Sequence, residues 1–234
     1  MRQRIRRVPF LAPAPFDLEV MTLADLRAMA APGFLAAPQR PEFHLLLLVT
    51  AGATTVTVDF RPCPLTPERA LWVRPGQVLV FGEDDGPSGD LVLFRPDVLI
   101  PGTRAAAIAD DRFAPVVVDH PPDGRAAVDR ARRALRREYR AAARDGHATA
   151  TRAELLVHLL SVLVLTLGDH APEAVRDGPD DLYARFRELL ERDFATAHDV
   201  GHYADALNYS SRTLARVTQA AIGRTPKQAI KDRL

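Results

Sequence analysis

Arg212, Arg216 and Gln219 follow one another at intervals of four and three residues in "SSRTLARVTQAAIG", close to the end of the chain. On a helix advancing about 100° per residue, with Leu214 at zero, Val217 falls near 300° and Ala221 near 340°. Those three make an inward face. Arg212 falls near 160°, Arg216 near 200° and Gln219 near 140°, on the opposite side. Arginine pairs bidentately with guanine and glutamine with adenine, so a stripe of this kind is chemically able to read base edges. Ser210, Ser211 and Thr213 sit where the helix would begin, and their hydroxyls suit backbone phosphates. The competing reading is an ordinary solvated helix face, and the surrounding elements have to decide.

Those elements favour base reading. Tyr183, Phe186, Leu189, Leu190 and Phe194 recur on one face of a first helix. Asp199 can cap a second, with Val200, Tyr203, Ala204 and Leu207 inward. "NYS" at 208–210 makes a corner: Asn208 tolerates a left-handed backbone and Ser210 can cap the third helix, which Gly223 stops. Three helices with a tight corner before the last is helix-turn-helix geometry. From Leu182 onward there are nine Lys/Arg against six Asp/Glu, although the whole chain carries only +1. A nucleic-acid signal is therefore local.

Elsewhere the chemistry is thin. Cys63 is the single cysteine, so no internal disulfide forms and a reducing compartment fits. No histidine motif accompanies it, and an inert thiol is expected. His44 and His120 lack the spacing of a metal-ligand set; no metal, no cofactor and no catalytic residue are expected, and the chain is read as a non-enzyme. His44 lies in an apolar run, as a satisfied core residue or a pocket hydrogen-bonder. Trp72, the only tryptophan, is either core or a ligand stacker. The run Leu155–Gly168 is too short to span a bilayer and no secretory signal is evident, so a cytoplasmic protein is expected.

Sixteen of 19 prolines lie at or before Pro122. Proline is excluded from helix interiors and tolerated in turns and at sheet edges, so the first half should be strands and turns and the second half helices. Glu42–Val49 reads as a strand covered on both faces. Thr54–Phe60 alternates, with Val56, Val58 and Phe60 on one face. "RPCPLTP" reads as a connection; "ALWV", "RPGQ", "VLVF" as strand, turn, strand; Asp90–Phe94 and Pro115–Asp119 as two further strands. This spacing suggests a small barrel or sandwich. The segment 125–146 reads as a helix stopped by Gly146; its eight arginines could bind nucleic acid, but a run of this kind is more often a solvated face, and that is the expectation. The next helix has Thr151 and Glu154 in capping-box spacing and Gly168 as its stop. Its leucine face is wide enough to pack on the barrel and meet a second copy. Residues 171–181 look like a linker. With 47% hydrophobic and 26% charged residues, global disorder is excluded.

The pattern "HYADALNYSSRTLARV…GRTPKQAIKDRL" closely resembles the first helix-turn-helix of AraC-family transcription regulators, matching at Ala204, Leu207, Tyr209, Ser210, Leu214, Arg216, Gly223 and Pro226. "FHLLLLVTAGATTVTVDFRPCPLTPERALWVRPGQVLVF" resembles that family's cupin-like sensor. The resemblance implies an α+β chain: a cupin-like β-barrel over 1–122 binding a small-molecule effector, a helical pair over 123–170 forming a homodimer, the linker at 171–181, and a helix-turn-helix over 182–234 binding double-stranded DNA. His44 and Trp72 become the candidate effector contacts. Family members usually carry a second helix-turn-helix after a long linker helix. "TPKQAIKDRL" looks like the start of that helix, with Thr225 as cap, Gln228 closing a capping box, and Ile230 and Leu234 opening an apolar face. The expectation is a fragment of a longer regulator. A cupin-type enzyme, or a sensor that competes for dimer partners without binding DNA, are the alternatives.

Overall fold

The computed structural model describes residues 5–10, 16–82, 86–111, 114–120, 122–145, 149–169 and 179–233. Gly146, most of the expected linker (171–178) and Leu234 lie outside the described residues. The chain is α+β and divides into two compact units, Met1–Pro172 and Glu173–Leu234.

In the first unit the described strands are β1 (Arg6–Val8), β2 (Leu18–Thr22), β3 (Gln39–Pro41), β4 (His44–Ala51), β5 (Thr54–Val58), β6 (Arg61–Leu65), β7 (Arg69–Val73), β8 (Leu79–Val80), β9 (Ser88–Phe94) and β10 (Val117–Asp119). They form two five-stranded sheets, ordered β1-β3-β8-β5-β6 and β10-β7-β4-β9-β2. Leu45, Leu47, Leu71, Val73, Leu91 and Leu93 from the second sheet meet Val56, Val58, Cys63, Leu65 and Leu79 from the first in one core. The alternate residues Leu46, Leu48, Ala70, Trp72, Val92 and Phe94 face the other way, toward helices α2 (Arg104–Asp110), α3 (Pro122–Asp145) and α4 (Ala150–Asp169). A sheet buried on both faces explains why β4 reads as an unbroken apolar run.

Several expectations are corrected. "RPCPL" is a strand, β6, paired with β5 from Thr54↔Leu65 to Val58↔Arg61. Its prolines are tolerated because β6 is the edge of its sheet. Phe60 is not inward: Asp59 (φ 47) and Phe60 (φ 68) are the two central residues of the β5–β6 hairpin turn, and Phe60 is 44% exposed. The Asp59 carboxylate holds that turn by accepting from Gln77 Nε2 (2.9 Å) and the Val78 amide (2.9 Å). The proline-rich half also contains helices. α1 (Leu23–Met29) starts from a Thr22/Asp25 capping box, and α2 from the Thr103 hydroxyl.

In the helical part of this unit, Thr149 rather than Thr151 caps α4, accepting from the Arg152 amide at 3.2 Å. Gly168 does not stop α4 but lies inside it, where a Cβ would stand 2.5 Å from Ile108 Cδ1 of α2. The glycine permits close helix approach. The arginines of α3 are not uniformly solvated. Asp90 on β9, 1% exposed, is ion-paired with Arg132 and, at 2.7 Å, with Arg136. Arg132 also meets Asp129 at 3.1 Å. α4 runs 20 residues and by length and composition alone is apolar enough to cross a membrane. Leu156, Leu160, Leu163, Val164 and Leu167 bury one side of it in the unit's core.

In the second unit the described helices are α5 (Pro179–Asp193), α6 (Val200–Ala206), α7 (Ser211–Ile222) and α8 (Pro226–Arg233), around one apolar cluster.

Candidate nucleic-acid interface

The cluster that positions α7 draws on all four helices. Leu182, Phe186, Leu189 and Leu190 of α5, Tyr203, Ala204 and Leu207 from α6 and its end, Leu214 and Val217 of α7, and Ile230 of α8 are all buried. Phe186 and Tyr203 meet edge to face, with centroids 5.5 Å apart at 89°. The Tyr203 hydroxyl donates to the Ala197 carbonyl at 2.7 Å. Between α6 and α7 the chain turns within the four residues 207–210. Asn208 takes the left-handed conformation (φ 58), and the Tyr209 amide bonds back to the Ala204 carbonyl at 3.0 Å. Asparagine enters that region more readily than most residues. Gly223 ends α7 with φ 66, its amide donating to the Gln219 carbonyl at 2.9 Å.

Arg212, Arg216 and Gln219 are exposed along α7, while Leu214, Val217, Thr218 and Ala221 are buried on its other side. Among the described residues no carboxylate pairs with either guanidinium, and α7 itself contains no acid. Ser211 is exposed at the first helical position. Ser210 is the N-cap: its Oγ accepts from the Thr213 amide at 3.1 Å and lies 2.9 Å from Thr213 Oγ1. Two of the three hydroxyls expected at phosphates, those of Ser210 and Thr213, are thus also engaged in capping the helix. Tyr209, 45% exposed, stands beside them at the corner.

Two features of this unit escaped the sequence. The first is a pair of side-chain clamps. Asp193 at the end of α5 accepts from Arg192 Nε (2.7 Å) and lies 2.9 Å from His202 Nε2 on α6. Hydrogen bonds from Arg192, then His202, hold its carboxyl at about 2. Arg233 of α8 grips Glu191 of α5 through two bonds (2.7 and 2.6 Å), and its guanidinium lies 4.4 Å from the centre of the Phe194 ring. The second is Thr218, wholly buried, whose hydroxyl has no hydrogen-bond partner among the described residues. α8 opens on the Thr225–Gln228 capping box, the Thr225 amide donating to Gln228 Oε1 at 2.9 Å. Its Ile230 is not an unmatched apolar face: it is 2% exposed, inside the four-helix cluster.

In the first unit His44 and Trp72 do meet. Trp72 Nε1 donates to His44 Nδ1 at 3.3 Å, and the His44 ring stacks on Phe94 with centroids 4.7 Å apart. The Arg74 guanidinium lies 4.6 Å from the Trp72 ring centre. They lie on the sheet face turned to the helices, 3% and 1% exposed, and not between the sheets. A cavity of about 10 Å³, room for one water, is lined by Leu23, Arg27, Leu35, Leu47, Thr54, Val56, Phe81 and Gly82. Among the described residues no group of three or more His, Cys, Asp and Glu is placed to hold a metal ion. Cys63 is buried, and burial pushes its thiol above the usual range.

Burial, and then the charge of Arg74, push His44 down from 6.5 to about 3. Between those values the folded chain binds fewer protons than the unfolded one. The contribution is present above pH 6.5 and is lost as pH falls toward 3. Unfolding followed by Trp72 fluorescence should therefore show stability declining from about pH 7 to pH 5, with a flatter decline in His44→Gln. Equal slopes in the two proteins would assign the decline to another group.

No protein-family model and no curated protein matches the sequence. Among solved structures, the AraC-like transcriptional activator CuxR is similar to 82% of this chain at 12% identity and a TM-score of 0.34, and this chain covers 65% of CuxR. The K231A form of ToxT from Vibrio cholerae is similar over 81% of this chain and 70% of its own, at 8% identity and a TM-score of 0.35. The plu4264 protein of Photorhabdus luminescens is similar over 35% of this chain and 77% of its own, at 13% identity and a TM-score of 0.21. At these TM-scores the likenesses place the chain in no family.

Proposed function

We propose that the chain is a cytoplasmic, sequence-specific DNA-binding transcription regulator of the AraC type. α6 and α7 form its helix-turn-helix, and the cupin-like first unit holds a small-molecule effector. One observation carries the reading. α7 is braced on its apolar side by three other helices, and it presents Arg212, Arg216 and Gln219 outward with no carboxylate paired to them among the described residues. These are the side chains that recognise guanine and adenine. Ser211, Thr213 and Ser210 at the start of α7 would meet phosphate as the helix enters the groove.

The test is selection from a random duplex pool at several salt concentrations. A short enriched motif is expected, with binding that weakens steeply as salt rises. Arg216→Ala should cost about 1–3 kcal/mol at that motif and relax base preference at one position. An unchanged preference in that variant would sink the proposed orientation of α7.

Among the described residues, the cavity beside Leu23 and Phe81 has room for one water, and an effector entering there would have to enlarge it. Contact with His44 and Trp72 would require the helices to lift, because both side chains are covered. For the homodimer, the available surface is the outer side of α4, where Leu155, Val162 and Leu165 are 43%, 49% and 40% exposed. Light scattering should report twice the chain mass, and the single mass with Val162→Asp. A wild-type chain that stays monomeric at high concentration removes this role from α4.

A further inference from the structure

Helix α3 has eight arginines, and the fold uses three of them. Arg132 and Arg136 turn to Asp90, and Arg125 pairs with Glu68 at 3.0 Å. The other five, Arg130, Arg133, Arg137, Arg140 and Arg144, are all exposed. Their intervals of three, four, three and four residues set them on one face, along about 21 Å of helix. Among the described side chains, two carboxylates of α3 temper this charge. Asp129 is shared between Arg132 and Arg133 (3.1 and 4.0 Å), and Glu138 meets Arg137 at 3.0 Å. From a neighbouring element, Asp25 of α1 senses the charge of Arg140, but its carboxylate is bonded to Thr22. Arg133 Nε and Arg144 Nε donate to the carbonyls of Asp129 (3.2 Å) and Arg140 (3.3 Å), which leaves their charge intact. Arginines three and four apart repel, so the stripe works against the helix that displays it.

We infer that this stripe is a second, sequence-indifferent contact with DNA, in which the exposed guanidiniums of α3 pair with backbone phosphates. It rests on the DNA-binding reading above. Guanidinium matches phosphate bidentately, better than a point charge does. Duplex DNA carries a negative charge about every 1.7 Å of its axis, so about 21 Å of it offers roughly twelve phosphates. Guanidiniums paired with phosphates carry no sequence information, and the small exposed neighbours Ala126 and Ala143 add no group that could hydrogen-bond a base edge. An anionic bilayer fits less well. A surface-bound helix buries its apolar side in the lipid, whereas Val128, Ala131, Leu135 and Ala142 of α3 are already buried in the protein core. An acidic protein partner would be expected to find an apolar or aromatic anchor among the charges, and the stripe has none.

The test compares full chains: wild type, Arg130→Gln/Arg137→Gln/Arg140→Gln, and Arg216→Ala. Each is titrated against fluorescent random-sequence duplex, and against the selected motif, between about 50 and 200 mM salt. Losing three phosphate contacts lowers the slope of log K against log salt by about 2.7. Over that fourfold range the wild-type chain should then lose about forty-fold more affinity than the triple variant, on every sequence alike. The triple variant should keep the enriched motif, and Arg216→Ala should lose it. A triple variant with the wild-type slope overturns the stripe while leaving the α7 reading intact. Unselective wild-type binding that the triple variant abolishes supports the stripe and removes base reading by α7. Binding unaffected by either set, or absent in the wild type, ends both. Vesicles containing phosphatidylserine serve as the second arm: wild-type binding to them but not to duplex, abolished in the triple variant, would assign the stripe to a membrane and overturn the DNA contact.

Discussion

Asp90→Ala is expected to destabilise the first unit by about 3–5 kcal/mol, the cost of leaving a buried ion without its partner. Asp90 is 1% exposed, and the Arg132 side chain that meets it is 9% exposed. Arg136, at 29%, can turn toward water when Asp90 is lost, and Arg132 retains Asp129 at 3.1 Å. Those two escapes set the lower end of the range. A natural domain holds only about 5–15 kcal/mol in total, so the variant should melt far earlier or fail to accumulate folded. The single tryptophan lies in this unit and makes its unfolding directly readable. Removing both charges is a different experiment. Asp90→Leu/Arg132→Met replaces an ion pair by apolar volume and should recover most of the loss, since such exchanges are often neutral or better. A single variant within about 1 kcal/mol of wild type would mean that water reaches the pair.

This network marks where sequence reading stops. Asp90 and Arg132 are 42 residues apart and come together only because α3 lies across the second sheet. The eight arginines of α3 look alike in a string of letters; only the packing separates buried Arg132 and half-buried Arg136, both turned to Asp90, and Arg125, paired with Glu68, from the five that are exposed. His44 and Trp72 are similar. Each was legible as a residue of an apolar strand, but their partnership spans 28 residues. Which side they face follows from the parity of Leu46 and Leu48, and a sheet covered on both sides leaves that parity without a polar contrast to read. In β6 a correct rule gave the wrong element. Proline argues against a central strand, and Pro62 and Pro64 lie on an edge strand, where the missing donors are tolerated. α1 carried a local signal, Thr22 with Asp25 three residues on, inside a segment that composition had assigned to strands.

The second unit was far more legible because its determinants are local. Asp199, Asn208, Ser210, Gly223 and the Thr225–Gln228 box each act within one helical turn, and each sits at the boundary it signals. The 3.6-residue period alone separated Leu214, Val217 and Ala221 from Arg212, Arg216 and Gln219. Hidden from it were the clamps Asp193–His202 and Glu191–Arg233, which depend on how the helices lie against one another.

Phe186→Ala should unfold the second unit and spare the first. Phe186 is wholly buried where α5 meets Tyr203 of α6, and truncating such a side chain costs about 3–5 kcal/mol through lost burial and the cavity left behind. The unit has roughly 60 residues, a size at which one apolar core rarely supplies more than about 3–5 kcal/mol. The expected cost therefore equals the whole reserve. Its core residues and those of the first unit fall into separate clusters, so the damage should stay local. The measurement uses two probes on one sample: Trp72 fluorescence for the first unit, far-ultraviolet circular dichroism for total helix. In Phe186→Ala the fluorescence transition should keep its midpoint, while the dichroism loses the α5–α8 contribution before heating begins. Motif-selective DNA binding should disappear with it, because α7 is held in place by that cluster rather than by its own twelve residues. Phe186→Leu keeps most of the volume and should retain both helix and binding. If Phe186→Ala kept its helices and its motif, then Tyr203, Leu190 and Leu207 would have closed the cavity, and α7 would be less dependent on α5 than its packing implies.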